Sequence, residues 1–433
     1  MITKVSSSLY QQLVDSFEGS FSESEVLRSR RTDAFEKFKS TGFPTAKAEE
    51  WRFTNLQPVL NDSYQLSAHL PGREVNAEAG LIHGVEAYRI VTVNGVYRKD
   101  LSDQIDVPGI TLCSLSEAVK NDAFEAHFGQ YADKAENPFV WLNTALAADG
   151  FYLEIKANMV LEKSIHIVNI AAADSQTFYQ TRNLIVLEKN AEAEVIETFL
   201  TEEDSAKTLA NTVTEIVVAE NAKLEHYYLQ EADQQSYFNN HTEVVQAKYS
   251  LYNNYNCTFP GPSFVRNTIN VRMDDPNVES HLYGITLLAG EQLVDNHTIV
   301  DHMKPHGESY EWYKNILQDN STAVFNGKIF VRLDAQKTNA FQQNNNMLLG
   351  GGATINTKPQ LEIFADDVKC SHGCTIGQFN EDAKFYLQAR GIGEDQARTL
   401  LVHAFAFDVT ERFKNENVKN HVNNLVELGL KHD

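Results

Sequence analysis

Short strand-like segments follow one another between residues 151 and 377 with almost no helical periodicity, and they recur about every 30 residues. Leu187–Glu194 reads LEKNAEAE, and a similar segment, VAENAKLE, returns one period later at Val218–Glu225. A second similar pair begins at Leu288 and, one period later, at Leu317. Stacked coils of this size bury their apolar faces only against neighbouring coils. The period therefore predicts a mainly β protein with a solenoid core over 151–377, with a β-sandwich or a cupin-like double-sheet barrel as alternatives.

Helical patterns flank this β-rich core on both sides. Apolar residues recur at helical spacing near the amino terminus, which predicts a mostly helical N-terminal domain over residues 1–150. Inside that region a strand-like run ends at Asn94-Gly95, a dipeptide typical of a β-hairpin turn. Asn380 and the acidic residues after it form a helix N-cap, and two further helical stripes follow. These stripes predict a C-terminal helical domain over 378–433.

Composition restricts the partners and the compartment of the chain. The 433 residues include 37 Lys and Arg against 59 Asp and Glu, giving a net charge of -22. This charge disfavours nucleic acid and anionic membranes as partners. The sequence contains no apolar run long enough to span a bilayer and no signal-peptide core near its start. Four sparse cysteines make no disulfide framework, so the sequence predicts a cytoplasmic protein.

The segment Cys370-Ser371-His372-Gly373-Cys374 carries two of the four cysteines and a histidine within a single short run. If the segment is extended, Cys370, His372 and Cys374 share one face, because side chains alternate along a strand. Thiolate and imidazole ligands suit zinc, copper and iron–sulfur chemistry. Three ligands do not close a structural zinc site, and Cys113 and Cys257 are isolated. The segment is therefore an open site completed by a partner or substrate, or a pair of buried thiols beside a histidine that hydrogen-bonds a turn.

A second group of candidate ligands lies close together in the middle region. His297, Asp301, His302 and His306 could supply the two histidines and one carboxylate of an iron-dependent oxygenase. Pro305 and its neighbours instead indicate a turn whose surface histidines need no metal. A carbohydrate-active β-helix is a third functional class, but no cluster of paired carboxylates and aromatic residues is visible.

Several sequence blocks together resemble the SufD branch of the SufB/SufD family of SUF-system iron–sulfur cluster assembly proteins. The resemblance is strongest over residues 280–410 and weak over 60–250. The matching blocks, in chain order, are Ala48–Leu56, Asp295–His302 with Pro305-His306 and Tyr313-Lys314, Phe325–Ile329, Ala335–Gln343, Lys358–Ile363 and Cys370–Gly377.

The resemblance implies a right-handed parallel β-helix flanked by helical regions, and a protein that is not an enzyme by itself. It implies a scaffold subunit of a SufBCD complex, which pairs with a SufB-like subunit and binds a SufC-like ATPase through its C-terminal helices. An open solenoid edge would also allow the isolated chain to form a homodimer.

The resemblance also implies where iron or a nascent iron–sulfur cluster is held. His372 matches the histidine implicated at the interface with the SufB-like subunit, and Cys370 is a candidate second ligand. Cys374 stands where many relatives carry a small residue without a thiol, which makes a metal role for it doubtful. The bound species is transient in the complex, and no cofactor is expected to stay bound to the isolated chain. A SufB-like scaffold is the nearest alternative, but its cluster-building cysteine is expected within 353–361, where this chain has none.

Overall fold

Two long parallel β-sheets form the centre of the protein, and the computed structural model describes residues 8–17, 25–66, 73–119 and 122–430. The strands described are, in chain order, β1 (Gln65–Leu66), β2 (Ala87–Val93), β3 (Val96–Tyr97), β4 (Ile110–Ser114), β5 (Phe151–Ile155), β6 (Ser164–Ala171), β7 (Thr177–Leu187), β8 (Glu192–Thr201), β9 (Thr208–Val218), β10 (Lys223–Gln230), β11 (Ser236–Gln246), β12 (Leu251–Thr258), β13 (Phe264–Met273), β14 (Glu279–Leu288), β15 (Leu293–His302), β16 (Glu308–Leu317), β17 (Thr322–Val331), β18 (Asn339–Leu348), β19 (Thr354–Ile363) and β20 (Lys369–Gln378).

From β5 onward, successive strands enter the two sheets alternately. Sheet I runs β4-β5-β7-β9-β11-β13-β15-β17-β19, with β1 beside β7, and sheet II runs β3-β2-β6-β8-β10-β12-β14-β16-β18-β20. All neighbouring strands from β5 onward pair in parallel, so each pair of successive strands forms one turn of a solenoid. The predicted solenoid is therefore confirmed, and the β-sandwich and cupin-like alternatives are wrong.

The register of the strands explains the repeat in the sequence. Lys223 of β10 lies beside Glu192 of β8 in the preceding turn and beside Leu251 of β12 in the following turn. Residues one sequence period apart therefore stack directly on one another along the solenoid axis. One period of the sequence is one turn of the structure, as expected for a solenoid.

Asparagine residues at one corner of the solenoid carry the most recognisable part of that repeat. Asn190 and Asn221 have φ values of 61° and 58°, a left-handed conformation that asparagine tolerates better than most residues. Their side chains form a ladder along the axis, because Asn221 Nδ2 donates to Asn190 Oδ1 at 2.9 Å. In later turns Tyr249 and Lys337 adopt the same conformation. The backbone corner is therefore kept where the asparagine of the sequence repeat is replaced.

The interior between the sheets is apolar on both sides and polar in the middle. Side chains such as Ile216, Val300 and Ile329 belong to one apolar cluster that runs along the axis. Beside it, buried amides are hydrogen-bonded from turn to turn, and Asn267 links Asn240 and Asn296 at 3.0 Å each. This amide ladder satisfies polar groups that would otherwise be costly to bury.

Helices cover the outer faces of both sheets. The helices described are α1 (Ser8–Ser16), α2 (Glu25–Thr41), α3 (Gln57–Leu60), α4 (Leu115–Ala118), α5 (Asp122–His127), α6 (Pro138–Leu146), α7 (Glu381–Gln388), α8 (Glu394–Thr410) and α9 (Glu416–Gly429). Phe38 of α2 and Phe139 of α6 pack in one apolar cluster with Phe178 and Leu209 of sheet I. Helices α8 and α9 cover sheet II in the same way, and the buried Cys257 lies under them.

Other local predictions are also met by the structure. Strands β2 and β3 form an antiparallel hairpin about Asn94 and Gly95, and the Asn380 side chain caps α7 by accepting from the Ala383 N–H. The domain limits at 150 and 377 stay predictions, and residues 1–7 of the amino-terminal segment lie outside the described residues. In the described part of the chain, no helix is both long and apolar enough to cross a membrane.

Candidate functional site

The segment that contains Cys370, His372 and Cys374 forms β20, the last strand of sheet II. Pairing with β18 places each of the three beside a residue buried inside the solenoid: Cys370 beside Ala340, His372 beside Gln342 and Cys374 beside Asn344. Because paired residues of a parallel sheet point to the same side, all three side chains face the space between the sheets. The prediction that they share one face is confirmed.

Strand β20 and its counterpart β19 end the two sheets, and in the described chain no strand pairs with their outer edges. Each edge is ten residues long and presents backbone N–H and C=O groups without ladder partners. Apolar side chains are exposed beside them: Ile363 at 40%, Phe364 at 54% and Ile376 at 54%. We call the free edges of β19 and β20, their inward side chains and Phe364 the open end.

The two thiols at the open end have different surroundings. Cys370 is half-buried against the apolar interior cluster, and this burial raises the pKa of its thiol. Cys374 is exposed, and its Sγ donates a hydrogen bond across to Thr357 Oγ1 of β19 at 3.5 Å. Asn346 Nδ2 lies 3.9 Å from the same sulfur. Cys370 thus favours the neutral thiol, whereas Cys374 bridges the two edge strands.

His372 is exposed between the two cysteines. Within the described residues, no hydrogen bond or ion pair occupies either of its ring nitrogens. An imidazole in this position can therefore offer a nitrogen to an ion or cluster at the surface of the open end.

The three side chains do not form a closed metal site by themselves. Residues two apart on a strand are separated by about 6.6 Å, and residues four apart by about 13 Å. Metal–ligand bonds are only about 2.0–2.3 Å long for nitrogen and sulfur. Accordingly, no group of three or more His, Cys, Asp or Glu side chains in the described chain could hold one metal ion. The assignment of His372, Cys370 and Cys374 as shared ligands stays a prediction.

The oxygenase alternative fails on geometry. His302 faces the interior, where its Nε2 lies 2.8 Å from Ser309 Oγ, and burial lowers its pKa to about 4. Asp301, on the opposite face of β15, accepts two hydrogen bonds at 2.7 Å from the Arg332 guanidinium. His297 shares the face of Asp301, and His306 lies in the turn with φ of 62°. The two histidines and the carboxylate cannot converge on one ion.

His297 instead belongs to a contact between the N-terminal region and sheet I, in which His297 and Asp295 are buried and Glu50 is half-exposed. Its Nε2 lies 2.8 Å from Asp295 Oδ1, and its Nδ1 lies 3.3 Å from Glu50 Oε2. Burial favours the neutral form of Asp295, but Arg266 and His297 outweigh it and lower the pKa to about 2. Hydrogen bonding to His297 likewise lowers the pKa of Glu50 to about 2. Glu50, Asp295 and His297 line a cleft of about 530 Å³ between the segment around Glu50 and the outer face of sheet I.

Sequence reasoning missed two buried polar residues behind His372. Glu311 and Gln342 face the interior at 0% and 2% exposure, and they lie beside each other in the row that ends at His372. The repeat itself contains the signal, because Gln342 stands one period before His372 in the sequence and Glu311 stands one period before Gln342.

Comparison with known proteins finds two family models that match consecutive parts of the chain. Residues 169–405 match the sequence model described as "SUF system FeS cluster assembly, SufBD core domain", and residues 3–167 match "SufBD protein N-terminal region". Together these matches cover most of the chain, and the core match includes both edge strands and α7.

Full-length relatives extend the match along nearly the whole chain. An iron-sulfur cluster assembly SufBD family protein of Synechocystis is 31% identical over 401 residues, covering 90% of this chain and 88% of the relative. The iron-sulfur cluster assembly protein SufD of Escherichia coli is 30% identical over 388 residues, covering 88% of each chain. The chloroplastic protein ABCI7 of Arabidopsis thaliana is 30% identical and covers 96% of this chain and 89% of its own. The chain therefore belongs to the SufB/SufD family of SUF-system iron–sulfur cluster assembly proteins, and the similar protein of Escherichia coli is named SufD.

Proposed function

We propose that the protein is a non-catalytic scaffold subunit that pairs with a SufB-like subunit through the open end. The observation that carries the proposal is the pair of bare, ten-residue parallel edges of β19 and β20. A second solenoid with a matching end would continue both sheets, supplying backbone partners and covering Ile363, Phe364 and Ile376. The four cysteines are all free, which fits the reducing cytoplasm expected for such a complex.

The open end is also where iron or a nascent cluster is handled in this proposal. His372 supplies an imidazole nitrogen, Cys370 is the candidate second ligand, and the partner supplies the remaining ligands. The spacing along β20 supports such a shared site, because the three side chains lie too far apart along the strand to surround one ion by themselves. Once the partner covers the end, the site lies between two subunits and excludes bulk water.

The C-terminal helices are the proposed docking surface for a SufC-like ATPase. The inner sides of α8 and α9 are buried against sheet II through residues such as Val402 and Val422. Large apolar side chains remain exposed on the helical region: Phe385 at 70%, Tyr386 at 56%, Leu400 at 45%, Phe407 at 53% and Leu428 at 55%. Exposed apolar groups on this scale mark an interaction surface.

Co-expression with SufB-like and SufC-like partners tests the assembly. We expect a stable three-component complex in size-exclusion chromatography with light scattering, and a homodimer of the isolated chain as the competing species. Failure of all three chains to associate would overturn the scaffold proposal. In the assembled complex, His372→Ala is expected to reduce the cluster formed per complex, measured by iron and sulfide content. Undiminished cluster formation in that variant would remove His372 from the site without affecting the scaffold role.

A further inference from the structure

A buried carboxyl group lies two turns behind His372 inside the solenoid. Leu282, Glu311 and Gln342 occupy successive turns of the interior row that ends at His372. Glu311 is 0% exposed, and no cation faces it from any strand packed against it. The side chains that face it are Leu282 on β14, Ser309 and Tyr313 on its own strand, Gln342 on β18 and Thr298 on β15, of which only Tyr313 can ionise.

In the described chain, only one of the two carboxyl oxygens of Glu311 accepts hydrogen bonds, and a proton on the other oxygen would give it a partner. Thr298 Oγ1 donates to Glu311 Oε2 at 3.1 Å, and Gln342 Nε2 donates to the same oxygen at 2.6 Å. The other oxygen, Glu311 Oε1, and the amide oxygen Gln342 Oε1 are both buried with no hydrogen-bond partner among the described residues. A proton on Oε1 can donate to the amide oxygen, so that a carboxylic acid and a primary amide share two hydrogen bonds. Burial raises the pKa of Glu311 to about 7, which agrees with a neutral acid.

The opposite sheet is shaped to accommodate this pair. Gly327 of β17 lies across from Gln342, and a methyl group there would overlap the Gln342 amide and the Phe325 ring. The missing side chain at Gly327 therefore makes the room that Gln342 needs to reach Glu311.

We propose that Glu311 and Gln342 form a neutral acid–amide pair that releases its proton to solvent when ferrous iron binds at His372. The Glu311 Oε1–H bond breaks, no electron is transferred, and the remaining carboxylate balances the charge of the iron. This inference rests on the proposed function, since it takes His372 as the ligand. Glu311 is a positioning residue, because Gln342 lies between it and His372.

The expected coupling between ionisation of Glu311 and iron binding at His372 is large enough to measure. Two strand spacings separate the carboxyl group from His372 by about 10 Å, and at an effective dielectric constant of about 20 a full charge there changes the affinity for a divalent cation by about 100-fold or more. Because the carboxyl ionises near neutral pH, iron affinity is expected to rise with pH through this range, and iron binding below it is expected to release a proton.

Calorimetric titration of Fe²⁺ into the anaerobic complex with the SufB-like partner tests the inference, using two buffers of different ionisation enthalpy. At about pH 6, the wild-type complex is expected to release close to one more proton per iron than Glu311→Gln. Between about pH 6 and about pH 8, its affinity is expected to rise about tenfold more than that of the variant. Glu311→Gln keeps two hydrogen bonds as an amide–amide pair, so its fold is expected to survive.

A matched control and a second variant complete the design. Glu308→Gln removes the same charge from an exposed position on β16 and is expected to behave as wild type. Gln342→Met removes the amide at similar volume and is expected to weaken the same coupling, so the test does not depend on one variant. An infrared difference spectrum between wild type and Glu311→Gln is expected to show a protonated carboxyl at about pH 6.

The outcomes separate the inference from the function on which it rests. If iron binds through His372 and proton release is equal in wild type and Glu311→Gln, the inference is overturned and the proposed function stands. If the wild-type complex forms but binds no iron at any pH, the inference and the proposed iron site are both overturned, and the proposed pairing role stands. Absence of the infrared carboxyl signal overturns the acid–amide pair directly.

Discussion

The two ends of the solenoid differ in how the chain treats its exposed strand edges. At the first end, β3 is two residues long and β4 is five, and each pairs antiparallel with its neighbour, which ends the parallel ladder. At the open end, β19 and β20 are ten residues long, parallel and bare within the described chain. Short or reversed edge strands prevent unwanted pairing, whereas long parallel edges invite it. The chain therefore closes one end of the solenoid by itself, whereas the other end, bare within the described chain, is the surface proposed for the partner.

The same division appears in the distribution of buried charge. In the early turns, Arg182 is fully buried and paired with Glu215 Oε2 at 2.8 Å, and the N–H groups of Gly129, Tyr131 and Ala132 also donate to Glu215. At the open end, His372 and Cys374 are exposed and carry little of the fold. Substitutions in the early turns should therefore affect folding, and those at the open end should affect binding.

Breaking the Arg182 pair is expected to have the largest effect. Glu215→Ala leaves a buried guanidinium without its main partner and three N–H groups without acceptors, which should lower the free energy of unfolding by about 4 kcal/mol. Urea denaturation followed by circular dichroism measures this loss. Glu220→Ala breaks an exposed pair with Lys189 at a corner of the solenoid and should cost less than about 0.5 kcal/mol. Equal losses in the two variants would contradict the special role of the buried Arg182–Glu215 pair.

A charge at the open end is expected to have the next largest effect, and on partner binding alone. Ile376→Lys places an ammonium group where the partner strand should pack, which should weaken binding of a SufB-like subunit by about 3 kcal/mol, or about 100-fold. Biolayer interferometry measures the affinity. Val160→Lys changes an apolar residue that is 62% exposed near the start of the solenoid and serves as the control. If both variants bind equally well, the partner does not use the open end.

The difference between the ends could be predicted from the sequence only in part. The repeat and the helical stripes predicted a solenoid with helical flanks, because turn length and apolar spacing are local properties of the chain. The shared face of Cys370, His372 and Cys374 followed from strand alternation. The direction of that face, and its position at an uncovered end, depend on which strand lies next to β20, and local patterns do not encode this. His297 and His302 misled because they were treated as near neighbours; once both lie in the single strand β15, their spacing of five residues puts them on opposite faces.

The pH dependence of stability also distinguishes the interior of the solenoid from its open end. Because burial raises the pKa of Glu311 from 4.5 to about 7, the folded protein binds more protons than the unfolded chain between these values. Stability from this group therefore falls as pH rises through that window, by up to about 3 kcal/mol. Glu311→Gln removes the cost of burying a carboxylate. The free energy of unfolding of the variant should therefore exceed that of wild type at about pH 8 and match it below about pH 4.5. Urea denaturation at both pH values checks this, and a pH-independent difference would show that Glu311 is not the titrating group.

The smallest effects on stability are expected from the predicted ligands themselves. His372→Ala and Cys374→Ser alter exposed side chains and should change the free energy of unfolding by less than about 0.5 kcal/mol. Cys370→Ser places a hydroxyl against the apolar interior and should cost about 1 kcal/mol. Thermal unfolding ranks the three variants by stability, and the iron content of the complex ranks them by iron retention. A site at the open end requires the two rankings to differ, with His372→Ala mildest for folding and most severe for iron. If both rankings followed burial alone, the strand would have a structural role only, and the uncovered end would serve to join subunits without holding metal.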